Sequence, residues 1–146
     1  MQNSLNKISL QTKKQFEIID ITDHIKKLVT ESGIKDGAVL VFCPHTTAAV
    51  RINHSEPLLM QDIMKTLYHL VPIDANYSHD LFEIRKNVAS NERSNGHAHV
   101  KAFLLGSSET LPINSGLVGL GANQSIFFVE LDGGRNREVH IKILGQ

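Results

Sequence analysis

The sequence predicts a single domain that mixes strands with about three helices, and three observations carry that expectation. Segments opening at Thr22 and Pro57 repeat apolar residues at helical spacing. Shorter apolar runs, Ala38 to Cys43 and Ser125 to Leu131, are bounded by glycine, proline or polar residues, as buried strands are. The 146 residues, 41% hydrophobic and 21% charged, suffice for one continuous core.

Taken in order, Lys7 to Leu10 and Phe16 to Ile21 alternate loosely around Lys13 and Lys14, which predicts an opening hairpin. From Thr22 the period changes: Ile21, Ile25, Leu28 and Val29 share one side of a helix that stops at Gly33, with Thr22 or Asp20 as its cap. Gly37 releases Ala38 to Cys43, apolar on both faces and halted by Pro44, a central strand that delivers His45 to a loop. Ala48 to Ile52 reads as the returning strand. Pro57 then opens a helix with Met60, Ile63, Met64, Leu67, Leu70 and Val71 on one stripe.

Between Pro72 and Ser94 periodicity vanishes, and so long a loop in a small domain points to function. Asn95 is placed to cap a short helix carrying His99, Val100, Phe103 and Leu104, which Gly106 ends. Thr110 to Ile113, Ser125 to Leu131 and Glu138 to Leu144 are the closing strands, with Gly133-Gly134 read as the turn between the last two. Gly116, Gly119 and Gly121 lack the strand-to-helix context of a dinucleotide-binding fingerprint and are read as turns and bulges.

The fifteen Lys and Arg balance the fifteen Asp and Glu, so no long-range field draws the chain to nucleic acid or an anionic membrane. No apolar run approaches the roughly 20 residues that cross a bilayer. Cys43 is the only thiol, which excludes an intrachain disulfide and a many-cysteine zinc site; it is read as a small buried apolar residue. Met1 to Lys7 has no basic segment followed by an apolar stretch, so a cytoplasmic protein is expected.

Eight histidines in so short a chain suggest a metal, since neutral imidazole ligates zinc and other divalent ions near pH 7. Position sharpens the suggestion. His45 follows a buried strand, His79 sits in the polar loop beside Asp80, and His97 and His99 open the third helix, all at places where distant segments can converge. No pair has the H-E-x-x-H spacing. On a strand His97 and His99 would share a face and on a helix they would not, so His97 rivals His99. His24, His69, His54 and His140 are read as surface residues, with His54 bordering the candidate site.

The segments His45-Thr46-Thr47-Ala48-Ala49, Ile52-Asn53, His79-Asp80, Ala98-His99-Val100-Lys101-Ala102, Leu105-Gly106-Ser107-Ser108, Gln124-Ser125-Ile126 and Gly133-Gly134-Arg135-Asn136-Arg137 span nearly the whole chain. In that order and spacing they resemble the YjbQ family, also called the secondary thiamine-phosphate synthase family. The resemblance implies an α+β fold, helices on an antiparallel or mixed sheet, and a homotrimer. It also implies that His45, His79 and His99 are ligands of a divalent metal, zinc or magnesium, with an open position for chemistry.

The implied activity is a metal-dependent one, as a main or a weak secondary function: an aminopyrimidine diphosphate and a thiazole phosphate join and pyrophosphate leaves. Metal-dependent hydrolysis of a phosphate ester, or binding of a metal and a small anion without turnover, are the alternatives. Around such an ion Lys101, Arg135 and Arg137 are the cations for a small phosphorylated substrate, Arg135 being equally well a solvated turn residue. Asn53 and Gln124 are candidate polar contacts. Glu56, Asp80 and Glu130 are the carboxylates nearest the motifs, each a candidate general base or orienting partner for a histidine. Family members commonly carry Trp before that Gln; here Asn123 stands there and no tryptophan exists.

Overall fold

A computed structural model describes all residues, 1–146. The elements in chain order are β1 (Gln2–Gln11), β2 (Glu17–Asp20), α1 (Thr22–Ser32), β3 (Asp36–Phe42), β4 (Ala48–Asn53), α2 (Pro57–Leu70), α3 (Gly96–Leu105), β5 (Ser108–Asn114), β6 (Leu117–Val118), β7 (Ser125–Glu130) and β8 (Asn136–Gly145). The strands form a five-stranded sheet, β1-β8-β3-β5-β6, and a three-stranded sheet, β2-β7-β4. Every pairing is antiparallel. The fold is α+β in a single domain with three α-helices, and no helix is long and apolar enough to cross a membrane.

Burial follows the side-chain period of each element. Along β8, Val139, Ile141 and Ile143 point inward and their neighbours outward, so the five-stranded sheet has one buried face. That face meets Ile25 and Val29 of α1 and the residues Val50, Ile126 and Phe128 of the smaller sheet. The smaller sheet's other face, Ala49, Phe127 and Val129, packs on Ala98 and Ala102 of α3, with Met60 of α2 alongside. Because β7 is covered on both sides, its sequence Ile126-Phe127-Phe128-Val129 shows no alternation.

Three sequence expectations are corrected here. The opening hairpin does not form: β1 lies beside β8, β2 lies beside β7 in the other sheet, and Thr12 to Phe16 cross between the sheets. β4 does not return along β3 but also changes sheets to pair with β7. Gly133-Gly134 is likewise a crossover between sheets. A Cβ on Gly133 would lie 1.9 Å from the Lys14 carbonyl oxygen, so the two crossovers pack backbone to backbone where only glycine fits. In each case the short connection looked like a hairpin because period-2 patterning identifies a strand without identifying its partner.

The helix ends are set locally. Gly33, at φ +72°, terminates α1 in the left-handed region, as its sequence position predicts. The Asp20 carboxylate accepts the Thr22 N–H at 3.0 Å at the other end. Asn95 precedes α3 but does not cap it through its side chain, which donates instead to Asp132 at 2.9 Å. The segment 71–95 is largely irregular, with one 3₁₀ turn at Ser78–Asp80 that carries His79.

Candidate functional site

The end of β3 determines where His45 goes. Phe42 pairs with His140 in β8, and beyond it Pro44 cannot continue the ladder, so the next inward amide of β8, that of Glu138, needs another acceptor. The His45 ring supplies it: the Glu138 N–H donates to Nε2 at 2.9 Å. Burial, and then the Arg137 guanidinium, hold the ring below the ordinary histidine pKa.

His99 comes from α3 and His79 from the 3₁₀ turn; their rings meet edge to face with centroids 4.6 Å apart. Asp80 fixes this approach by accepting the Gly96 N–H at 3.0 Å, which ties the turn to the start of α3. Arg85 holds the loop from the other side, donating to the His79 carbonyl at 2.9 Å and pairing with Glu92 at 2.5 Å. The Nε2 atom of His79 is buried and has no hydrogen-bond partner. Burial, followed by His79, lowers the His99 pKa, partly offset by a hydrogen bond to the Thr46 backbone.

His97 points elsewhere, as the helical spacing requires. It is buried, and its Nδ1 lies 2.9 Å from Lys101 Nζ, one turn further along α3. Lys101 is fully buried with its ammonium 4.0 Å from the Tyr68 ring centroid, and burial lowers its pKa to about 8. It therefore faces α2 and is not a free cation for substrate.

The arginines are equally committed. Arg137 is buried in a two-point contact with Glu130, Nε to Oε2 at 2.7 Å and Nη2 to Oε1 at 2.6 Å, and also donates to Thr47 Oγ1 at 2.8 Å. Glu130 further accepts from Thr12 Oγ1 and from the amides of Leu131 and Asp132. Burial pushes the Glu130 carboxyl up, but hydrogen bonds from Arg137, the Asp132 amide and Thr12 outweigh it and hold the group below its ordinary value. Arg135 pairs with Asp132 at 2.6 Å, a structural turn contact.

A cavity of about 610 Å³ opens between the end of β3 and α3, with Phe42, His45, Thr46, His99, Phe103 and Ser107 among its walls. No lysine, arginine or carboxylate lines it. Glu56 lies elsewhere, at the start of α2, where its carboxylate accepts the N–H groups of Leu58 at 2.9 Å and Leu59 at 2.7 Å. Asn53 and Gln124 sit at the far end of the smaller sheet, since Asn53 pairs with Ser125 while Ala48 pairs with Glu130. At about 3.3 Å per residue this separates them from the His45 end by about 17 Å. Each is an exposed turn-former, Asn53 accepting the His54 N–H and Gln124 the Gly121 N–H. Asn123 is exposed beside them, so its replacement of the usual Trp does not alter this cavity within one chain.

Across residues 6–146 the chain matches the family described as UPF0047 protein YjbQ-like. The chain belongs to the YjbQ family. Relatives of this YjbQ-family chain include a UPF0047 protein of Archaeoglobus fulgidus, 43% identical over 94% of this chain and 98% of the relative. Another, from Methanothermobacter thermautotrophicus, is 38% identical over 100% of this chain and 95% of its own length. Among solved structures it is similar to a YbjQ-like protein of unknown function from Sulfolobus solfataricus P2, with TM-score 0.90, 36% identity and 99% of each chain covered. A yjbq/upf0047 family protein from Clostridium acetobutylicum gives TM-score 0.84 at 41% identity, over 95% of this chain and 99% of that one.

Whether the YjbQ-family trio suits a metal can be tested on its nitrogens. His79 and His99 fit: they are neighbours, and His79 Nε2 is a buried nitrogen without a hydrogen bond, the Glu92 carboxylate standing 3.8 Å from it. His45 shares the cavity wall with His99, but its Nε2 lone pair is taken by the Glu138 amide. No three His, Cys, Asp or Glu side chains gather around one point in the chain. Sequence reasoning missed the Glu138 amide, Asp132 and Tyr68, which position His45, Asn95 and Lys101 respectively. Only Asp132 had a signal, as a second acidic residue two positions after Glu130 at the end of an otherwise apolar strand.

Proposed function

We propose that the cavity is the active site of a metal-dependent transferase acting on small phosphorylated molecules. Its most specific form is thiamine-phosphate synthase chemistry, joining an aminopyrimidine diphosphate to a thiazole phosphate with release of pyrophosphate. The observation that carries this reading is the His79 and His99 pair, two imidazoles in contact, of which His99 lines a cavity of small-molecule size and His79 carries a buried Nε2 without a hydrogen-bond partner. When bound by that pair, a divalent ion would supply Lewis-acid charge for a departing diphosphate. Zinc suits nitrogen donors better than magnesium, which prefers oxygen. Phe42 and Phe103 offer apolar walls for a heteroaromatic ring, and the Thr46 and Ser107 hydroxyls border the same space.

The reading is tested by measuring pyrophosphate release from the two thiamine precursors with zinc-loaded protein. Turnover is expected, and His99→Ala should lower it by at least about 10-fold. Background turnover with zinc confirmed present removes the transferase.

A second reading, binding of a metal and a small anion without turnover, is favoured by the engagement of Glu56, Asp80 and Glu130 in structural hydrogen bonds, which leaves no free carboxylate on the cavity wall. It predicts ligand-dependent thermal stabilisation with no product. A phosphate-ester hydrolase, the remaining form, predicts phosphate release from a simple ester. In all three forms the chain acts as a cytoplasmic homotrimer, with no nucleic acid or membrane as partner. Support for self-association comes from α3, whose Val100, Phe103 and Leu104 are 41%, 88% and 60% exposed on the side away from its own core.

A further inference from the structure

His45 occupies the cavity wall in a state that a metal ligand does not have. An imidazole nitrogen accepts a hydrogen bond only through a lone pair, so the Glu138 N–H at 2.9 Å requires Nε2 to be unprotonated. The opposite ring flip would set a C–H against that amide. A neutral ring must then carry its proton on Nδ1. Nδ1 has no partner among the chain's hydrogen bonds and is not among its buried unsatisfied atoms, so a ligand can reach it. The ring cannot turn over cheaply either, because the Glu138 amide, left without an acceptor where Pro44 ends β3, would be orphaned.

The surroundings favour a donor. No Lys or Arg side chain reaches the cavity wall, because Arg137 is held by Glu130 and Lys101 by His97 and Tyr68. Among the cavity's side chains, only His45, His99 and the two hydroxyls offer N–H or O–H donors to an anionic group.

We propose that His45 is an Nδ1–H hydrogen-bond donor to a phosphate or diphosphate oxygen of the cavity's ligand, and not a ligand of the metal. This rests on the cavity being the substrate site, and it divides the three family histidines into a pair that holds the ion and a third that holds the anion. Such a donor, fixed by the backbone before the ligand arrives, stabilises charge on a leaving oxygen without rearrangement.

The experiment has a spectroscopic and a binding arm. In ¹⁵N-histidine-labelled protein, His45 should show the Nδ1–H tautomer; zinc should leave its ring resonances in place, and inorganic pyrophosphate should move Nδ1. His45→Ala should weaken pyrophosphate binding about 10-fold or more at unchanged zinc affinity. His45→Asn, whose amide can present a donor near the Nδ1 position, should recover most of it. His79→Ala and His99→Ala should lose zinc. Zinc coordination at His45 in the spectrum, loss of zinc by a folded His45→Ala, or an Nδ1 signal indifferent to pyrophosphate would each overturn the assignment. If the wild-type chain binds no zinc, the metal-dependent reading fails alone and the pyrophosphate response still decides His45; the wild-type spectra need no variant to fold.

Discussion

Glu130 illustrates how a residue type can suggest catalysis while its environment assigns it to structure. Its two oxygens receive five donors, from Arg137 twice, Thr12, Leu131 and Asp132, so no lone pair is free to take a proton from substrate. Removing one member of a buried pair leaves the other charged and unpaired, and Glu130→Gln should cost about 3–5 kcal/mol in urea unfolding. The pH dependence follows from the direction of its shift. Because the folded carboxyl is held below its ordinary value near 4.5, the unfolded chain binds more protons in acid. The contribution of Glu130 is thus fully present above about 4.5 and fades as the pH falls through the folded value. Wild-type stability should drop across that window more steeply than that of Glu130→Gln, and parallel curves would contradict the role given to this pair.

Among the elements, α2 shows most clearly how a local rule and a functional guess can compete for one residue. Glu56 precedes Pro57, the first residue of the helix, and both its oxygens accept first-turn amides that have no partner inside the helix. Glu56→Ala should therefore lower the midpoint of thermal or urea unfolding, with zinc and pyrophosphate binding unchanged. A binding defect without a stability loss would return Glu56 to the site. Strands other than the two-residue β6 were readable from pattern, and all three helices lie where their periodicity and their proline and glycine stops predicted, although Asn95 does not cap α3 and that helix buries Ala98 and Ala102 in place of Phe103 and Leu104. The pairings were not readable: β1 with β8 and β4 with β7 join segments far apart in the chain, and no local signal encodes which edge a strand will meet.

For the whole molecule, the distribution of apolar surface is what the single chain leaves unfinished. The larger sheet is covered on one face only, with Leu5 and Phe42 62% and 38% exposed, and α3 turns Phe103 outward at the mouth of the cavity. A helix apolar on both sides is normally covered on both. Sedimentation of the wild-type chain should give a trimer, and Phe103→Glu should shift it toward monomer, because a charge cannot be buried unpaired in an apolar contact. A wild-type monomer at high concentration would remove the assembly. It would leave the His79 and His99 pair intact, since both come from one chain.

By itself the sequence determined the elements, the family and the positions of the histidines, because helical and strand periods, glycine and proline stops and contiguous motifs are all local. Tertiary structure alone decided which charges remain free. Arg137, Lys101 and Glu130 look like site residues in one dimension, yet each is buried, and a buried charge or amine must find its partners inside the protein. Apart from His97, which shares α3 with Lys101, those partners, Thr12, Thr47 and Tyr68, come from other segments, and so does the amide that turns His45 toward a role its motif does not specify.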